Sequence, residues 1–464
     1  MLTAFDMVLI LLAFLVMFRG FSGRWSVWRK GRDENRPGNW AGLFRYLLDH
    51  REILKVRGPG TAHLMVFWGF LVPLIVIILA QFPFRFRPFA AHILSLLTDV
   101  LGIGLLGGVL FFLVRRIGSA DSRGPKRTLF PMCILLVVLF TGFLAEGLRI
   151  RITTPGIAWA WPFGWLLSFI MPASPVFMQV MIRIHFFSVL LLVAVLPFTF
   201  LRHVAAAPVN VFFRKQNPRA ELRGISMDEG PIGAETYRDF TWKQLLDAEA
   251  CVSCGRCEKN CPASISGKPL SPRKVIQDIL EQAASGISAP RLSSLITEDE
   301  VWSCTTCMAC LEHCPVYIEP MDRIIEMRRC QTMRKGMPPP EAGYLIRNLE
   351  IYGDVQGNGP AHRADWAFDQ GAPLFSSKNT AAEILLWVGC SGAFHPRYRE
   401  VSRAMVKILK AAEVPFGILG KDERCCGDPA RRIGEEGLFL ELAKKNIEIL
   451  KKFEIKKVVQ QVRC

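Results

Sequence analysis

After residue 205 this 464-residue sequence has no long hydrophobic run, whereas before it such runs crowd together. The imbalance rules out one compact core, and the length suggests two or three domains. There is no basic stripe interleaved with aromatic residues, so the formal net charge of +16 does not signal nucleic-acid binding. The basic residues gather instead in short loops between apolar runs. Arg19 to Thr61 carries ten Lys/Arg and Arg115 to Thr128 carries five, as the positive-inside rule requires of loops facing the cytoplasm. The first apolar run has neither a basic leader nor a small-residue cleavage site, so it reads as a helix and not as a removed signal peptide. The spread of cysteines of a small secreted disulfide scaffold is also missing. Eight of the 14 Cys fall in two tight clusters, which points to a reducing compartment and to metal ligation.

Apolar stretches long enough to span a bilayer occur at Leu2–Phe18, Leu64–Phe82, Ile93–Val114, Leu129–Leu148 and Ile184–Leu201. Five spans and two basic loops put the N-terminus outside and everything after His203 in the cytoplasm. Gly102-Ile-Gly104-Leu-Leu-Gly107 matches a dinucleotide fingerprint by spelling only. It lies inside an apolar span with no preceding strand, and Gly104 and Gly108 are expected to serve close helix packing. His185 and His203 are separated by 18 residues, or about 27 Å along one helix, which would put one ring near each membrane face. His63 opens the second span at the depth of His203. Two such rings on facing helices can grip a b-type haem. His185 would need an outer-face partner, for which His92 is the candidate; His50, in the inner loop before the Gly58-Pro59-Gly60 break, is expected to be out of reach. Glu146 and Arg149, near the outer end of the fourth span, read as a helix-anchoring salt bridge or as a quinone or proton site. The following Trp159, Trp161 and Trp165 read as an aromatic belt.

The strongest signal is Cys251-x2-Cys254-x2-Cys257-x3-Cys261-Pro262, repeated as Cys304-x2-Cys307-x2-Cys310-x3-Cys314-Pro315. The x2-x2 spacing wraps three thiolates around a [4Fe–4S] cubane, and the fourth Cys of each run ligates the other cluster. Cys251, Cys254, Cys257 and Cys314 are thus expected to hold one cluster, and Cys304, Cys307, Cys310 and Cys261 the other. Two zinc sites would have the wrong number of ligands per run. The intervening 42 residues include a helical pattern at Pro272–Ala284, so a helix-rich two-cluster domain is expected. Cys133 and Cys330 lie outside these runs and read as ordinary thiols.

From Ile384 the pattern alternates strand and helix: strand Ile384–Val388, helix Tyr398–Ala412, strand Phe416–Leu419, helix Gly437–Phe453 and strand Lys457–Val462. Cys390, Cys425-Cys426-Gly427 and Cys464 stand at strand ends, where α/β ligand sites form. This set resembles the cysteine-rich CCG domain of heterodisulfide-reductase-like iron–sulfur proteins, which can hold a further, atypical iron–sulfur cluster. The membrane half, through His185-x17-His203, resembles the five-helix, dihaem gamma subunit of respiratory nitrate reductase. That subunit has two His on its second helix, and here only His63 lies there. The fused order resembles membrane oxidoreductases serving electron-transferring flavoprotein and menaquinone. The last Cys of the CCG pattern and its second repeat are not in the sequence, so a C-terminally truncated chain is expected.

These readings divide the chain into a five-helix anchor (1–205), a linker (206–239), a helical dicluster ferredoxin domain (240–340), a second linker (341–382) and a partial α/β CCG domain (383–464). The function they imply is a multi-pass protein of the cytoplasmic membrane, with its iron–sulfur domains in the cytoplasm. It would link a donor such as electron-transferring flavoprotein to the quinone pool through two [4Fe–4S] clusters, one or two b-type haems and possible metallation of the CCG site. The alternatives are a quinol-driven disulfide reductase and a non-catalytic electron-transfer subunit of a respiratory complex. A redox sensor fits poorly, because nothing resembling an output domain follows the clusters.

Overall fold

The computed structural model describes residues 3–80, 88–118, 125–154, 156, 158–216, 221–225, 230–285, 291–375 and 382–460. Its first part is helical. The helices are α1 (Ala4–Trp28), the short α2 (Trp40–Asp49) and α3 (Arg51–Leu54), α4 (Arg57–Ala80), α5 (Pro88–Ile117), α6 (Pro125–Thr153), α7 (Pro162–Ser168), α8 (Pro175–Val195) and α9 (His203–Phe212). Five of them, α1, α4, α5, α6 and α8, are long and apolar enough to cross a membrane. At most 28% of any span's apolar window is buried within the protein, so most of that surface faces a nonpolar surrounding. A helix satisfies most of its backbone groups internally, which is what the hydrocarbon core demands, although Pro73 in α4 and Pro131 in α6 each remove one bond of the ladder.

Two glycines set the crossing of α4 with α5. A Cβ at Gly69 would lie 2.5 Å from the Leu101 carbonyl oxygen, and one at Gly108 would lie 2.7 Å from that of Ala62. Gly108 therefore packs as expected, while Gly104 meets nothing closer than Met65 at 4.0 Å. Gly102 to Gly107 lies within continuous helix, which excludes a phosphate-binding turn there. α8 packs on α6 and α1, and α4 packs on α5; α4 and α8 do not pack along their lengths.

One expectation about the last span is corrected. His185 and His203 do not share one straight helix. α8 ends at Val195, two single-turn 3-10 segments follow at Leu196–Phe198 and Phe200–Arg202, and His203 begins α9. Pro197 has no N–H to continue the ladder and its ring clashes with the preceding turn. The 206–239 stretch is not a free linker at its start either. Ala206 and Ala207 of α9 are buried against the cluster domain, with Val209 packed alongside, and the Asn210 side-chain amide donates to the Val316 carbonyl at 2.8 Å.

The middle domain comprises α10 (Trp242–Ala250), α11 (Arg256–Lys259), α12 (Pro262–Ile265), α13 (Pro272–Ser285), α14 (Glu298–Trp302), α15 (Ala309–Glu312) and α16 (Pro320–Arg329), with a π turn at Cys330–Arg334. Thr241 starts α10 with a reciprocal capping box to Gln244, and Thr297 starts α14 in the same way with Glu300. Tyr237, Phe240, Leu245, Val275, Ile279 and Ile324 form the core between α10, α13 and α16. Asp247 on α10 is buried between Lys243 and Arg323, so each charge has a partner.

The last domain begins earlier than expected. α17 (Pro340–Tyr352) packs on its helices, and Trp366, in the stretch read as a linker, is buried in its core. The 341–382 stretch is therefore largely part of the fold. Next come β1 (Ile384–Trp387), α18 (Gly389–Phe394), α19 (Pro396–Ala411), β2 (Phe416–Gly417), α20 (Asp428–Arg432), α21 (Glu436–Lys452) and β3 (Lys457–Gln460). The strands form a parallel sheet in the order β2-β1-β3, with Ile384 opposite both Phe416 and Lys457. Cys464 lies outside the described residues.

Candidate redox centres

The two cysteine runs fold into loops with the same backbone course. In the first, Ser253 (φ 56°) and Gly255 (φ 76°) are left-handed; in the second, Thr306 (φ 54°) and Met308 (φ 64°) are. Side chains other than Gly rarely adopt this region, so its recurrence at both equivalent positions marks a functional requirement. The turns let three thiols face one point and aim N–H groups at sulfur. Thr306 N–H donates to Cys304 Sγ at 3.4 Å and Ile318 N–H to Cys314 Sγ at 3.3 Å.

The fourth cysteine of each run crosses over. Cys314 is near Cys251 and Cys254, and Cys261 is near Cys304 and Cys310. One cavity is lined by Cys251, Cys254, Cys257 and Cys314, with Cys310 at its edge. Among the described residues, no three His, Cys, Asp or Glu side chains converge as ligands of a single ion would. The thiols ring a space instead, which suits a polynuclear cluster whose iron corners each take one thiolate. Burial raises the Cys251 thiol to about 11 and that of Cys310 to about 12, a penalty that a bound cation offsets by favouring the thiolate.

The second run carries a buried cation that the motif spacing did not reveal. Arg328 stacks on Trp302 at 4.8 Å and donates to the Cys304 carbonyl at 2.6 Å and to Val301. It also reaches the Arg432 carbonyl at 3.0 Å, on α20 just after Cys425-Cys426. Arg432 in turn donates to the Thr306 hydroxyl at 2.6 Å and to its carbonyl at 3.1 Å. The CCG domain thus rests on the second cysteine loop. The first loop faces the membrane half, where the Arg256 guanidinium donates to the carbonyls of Glu52 at 2.7 Å and Ile53 at 2.9 Å.

In the CCG domain, Cys390 follows β1, and Cys425 and Cys426 precede α20. Cys390 and Cys425 lie in one buried cluster, with Cys426 packed against it. Arg363, from the stretch read as a linker, points at Cys390 Sγ from 3.5 Å and pairs with Glu423 at 2.9 Å. Glu423 in turn accepts from the backbone N–H groups of Gly389 at 2.8 Å and Val388 at 3.3 Å. Hydrogen bonding from Cys425, together with Arg363, lowers the Cys390 thiol to about 7. No spacing rule marks Arg363 or Glu423; only the fold brings them to the cysteine.

The membrane histidines separate into two groups. His203 Nδ1 faces the Phe200 carbonyl at 2.7 Å and His185 Nδ1 faces that of Val138 at 3.0 Å. If Nδ1–H donates in each, Nε2 is left for a metal, as haem-ligating imidazoles require. Burial lowers the pKa of His203. His63 lies near His203 and near His50. His50, in the inner loop and expected to be out of reach of His185, is part of the inner group. His92 packs on Trp159, and no contact among the described residues joins it to His185. The Glu146 and Arg149 side chains form the bidentate pair that the salt-bridge reading requires, at 2.7 and 3.0 Å, and Arg149 lies over Trp161.

Residues 250–318 match the family described as a 4Fe-4S dicluster domain, and residues 384–463 match the cysteine-rich CCG domain. Over 97% of this chain and 72% of the relative, the sequence is 31% identical to the EtfAB:quinone oxidoreductase of Syntrophomonas wolfei. It is 30% identical, over 97% of this chain and 71% of the relative, to a probable membrane-anchored ferredoxin of Chromohalobacter salexigens. Over 48% of this chain and 56% of the relative, it is 28% identical to one subunit of the dihydromethanophenazine:CoB--CoM heterodisulfide reductase of Methanosarcina barkeri. No solved structure matches the chain. Five apolar helices, a dicluster domain and a CCG domain in this order, with that likeness along nearly the whole chain, make it a member of the family of membrane-anchored iron–sulfur oxidoreductases that includes the Syntrophomonas protein.

Proposed function

We propose that this membrane-bound iron–sulfur oxidoreductase connects a cytoplasmic donor, electron-transferring flavoprotein, to the quinone pool. One observation carries this reading: the candidate centres lie in an unbroken series of contacts. Arg432 ties the CCG cysteines to the second cysteine loop, Cys257 adjoins Cys310 between the loops, and Arg256 ties the first loop to the segment beside the membrane histidines. When bound, [4Fe–4S] clusters and a b-type haem supply one-electron chemistry.

The chain's own residues hold, insulate and bias those groups. We assign Cys251, Cys254, Cys257 and Cys314 to one cluster and Cys304, Cys307, Cys310 and Cys261 to the other. Cys390, Cys425, Cys426 and Cys464 are the thiols offered at the CCG site. At the inner membrane face, His203 and His63 are the ring pair for a haem, and His185 offers a ligand towards the outer face. Arg328 places positive charge against the second-run cluster, which favours its reduced state, and Arg363 does the same at Cys390. The basic loops support an orientation with the N-terminus outside the inner membrane and the iron–sulfur domains on its cytoplasmic side.

The test is an anaerobic titration of purified membranes with reduced electron-transferring flavoprotein and, separately, with menaquinol. The reading expects flavoprotein to reduce the clusters and the haem, with menaquinone re-oxidising both. Reduction by menaquinol alone, with drainage by a disulfide, would instead establish a disulfide reductase.

A further inference from the structure

Helix α2 is too short to cross a bilayer, yet it carries an open apolar stripe. Asn39 caps it, its side chain accepting from the Gly42 N–H at 2.6 Å, and His50 ends it in the left-handed region. Trp40, Phe44 and Leu48 recur at four-residue intervals, so they share one face. All three are open, with 65%, 58% and 68% of their surface exposed. A contiguous apolar patch of this kind marks a surface that another nonpolar body covers. The opposite face is already occupied. Tyr46, about 160° from Leu48 around the helix, packs with Cys314, Val316 and Ile318 of the cluster domain, and its ring lies 6.0 Å from that of Tyr317.

Both ends of α2 are seated on segments that leave the bilayer. Trp40 meets Phe212, at the end of α9, at 4.7 Å, and His50 meets Phe67 and Trp68 of α4 at 4.7 and 5.9 Å. Phe67 and Trp68 lie inside the second span, so the end of α2 is level with that span and its stripe continues the membrane-facing surface. Charge fits the same seat. Arg45 is exposed about 60° from Leu48 around the helix, and Arg51, just past the end of α2, has 82% of its side chain exposed. Asp49 pairs with Arg51 at 2.7 Å, which leaves this edge with a net positive charge. Arg57, at the start of α4, is exposed as well. An apolar stripe edged by arginine is the pattern of a helix lying in a membrane interface, and anionic headgroups strengthen its hold. We propose that α2 is an interfacial membrane helix that binds anionic phospholipid in the leaflet next to the cluster domain. Trp40, Phe44 and Leu48 lie among its acyl chains, and Arg45 and Arg51 meet its headgroups. The other face of α2, with the α3 carbonyls that take Arg256, then seats the first cysteine loop at a fixed height on the bilayer.

The experiment uses the full chain in nanodiscs, with thermal midpoints equal to wild type showing that each variant has folded. The fluorescence of Trp40 is the difference between wild type and Trp40→Phe. Phosphatidylcholine brominated high on its acyl chains should quench that signal, and aqueous iodide should leave it. In discs of equal phosphatidylglycerol and phosphatidylcholine, the lipid retained by the protein is counted by native mass spectrometry. Its preference for phosphatidylglycerol should fall about fivefold in Arg45→Gln. Lys445→Gln, an exposed change on α21, should leave it as in wild type. Quenching of Trp40 by iodide and not by brominated lipid overturns the proposal, as does a lipid preference unchanged in Arg45→Gln. So does a dimer in nanodiscs that Phe44→Asp dissolves, because the stripe would then face a second copy of the chain.

Discussion

Glu436→Gln tests how the CCG domain is held on the cluster domain. Glu436, at the start of α21, is 0% exposed and accepts from Arg329 on α16 at 2.7 Å and from Arg431 on α20 at 3.0 Å. Gln keeps the volume and removes the charge, leaving two guanidinium groups without their shared counter-ion. Breaking a buried ion pair on one side costs about 3–5 kcal/mol. Arg329 keeps Glu326 at 2.9 Å and the Arg223 carbonyl, so the lower end applies. At about 1.4 kcal/mol per factor of ten, about 3 kcal/mol is roughly a hundredfold loss of the docked arrangement relative to the open one. Hydrogen exchange read at α20 and at the first turn of α21 measures that ratio, because those amides are protected by docking. Exchange there should speed up by about two orders of magnitude, while amides in α10 and α13 stay unchanged. A control, Glu441→Gln, removes an exposed partner of Lys445 and should change nothing measurable. Equal exchange in wild type and Glu436→Gln would refute the view that this buried charge cluster holds the two domains together.

Three further outcomes are expected. Cys261→Ser should deplete the cluster held by Cys304, Cys307 and Cys310 and spare the one in its own run, which EPR of the two signals will resolve. Gly434→Ala should undock the same interface, because a Cβ there would lie 2.5 Å from the Arg329 backbone nitrogen at a φ of 90°; lability to limited proteolysis is the readout. Burial, reinforced by the neighbouring Glu319, raises Asp322 from 3.8 to about 7. The folded protein then binds more protons than the unfolded chain between those values, so this contribution is fully present below about pH 4 and lost as pH rises through about 7. In Asp322→Asn that slope should vanish from thermal midpoints compared at pH 5 and pH 8.

The dicluster domain and the five spans were legible because their chemistry is written in local spacing. A cubane needs three thiols within one tight turn, and a bilayer needs about 20 apolar residues in a row, and both are patterns along the chain. Helix Pro272–Ser285 was legible for the same reason, from its apolar period. What escaped was whatever depends on contacts between distant segments. Arg363 meets Cys390, 27 positions away, only after the 341–382 stretch folds back on the sheet. The packing of His50 on Phe67 and Trp68 is of the same kind, because it joins the α2–α3 corner to α4 across the Gly58-Pro59-Gly60 run, which lies in the first turn of α4. The straight five-turn separation of His185 and His203 failed on Pro197, a residue whose effect is local but which lay inside an otherwise convincing apolar run.

The spatial order of the candidate centres repeats their order along the chain: membrane histidines, first cysteine run, second run, CCG cysteines. Arg256 joins neighbours in that series at the membrane end and Arg432 at the other, while Lys55 to Glu312 and Asn210 to Val316 also tie the membrane half directly to the second run and the residues after it. The middle is different. Cys261 and Cys314 each lie among the thiols of the opposite run, so neither cysteine loop is complete alone. This crossing makes the two loops one unit, and the repeated left-handed residues at Ser253 and Thr306 and at Gly255 and Met308 show that both halves meet the same geometric demand. A rigid two-cluster centre with docking surfaces at opposite ends suits a carrier that must keep fixed distances inside while its terminal partners differ. The presence of Met308 where the first loop has Gly255 supports this view. The second loop tolerates a strained backbone under a side chain because cluster ligation, together with the Arg432 contacts to Thr306, over-determines its shape.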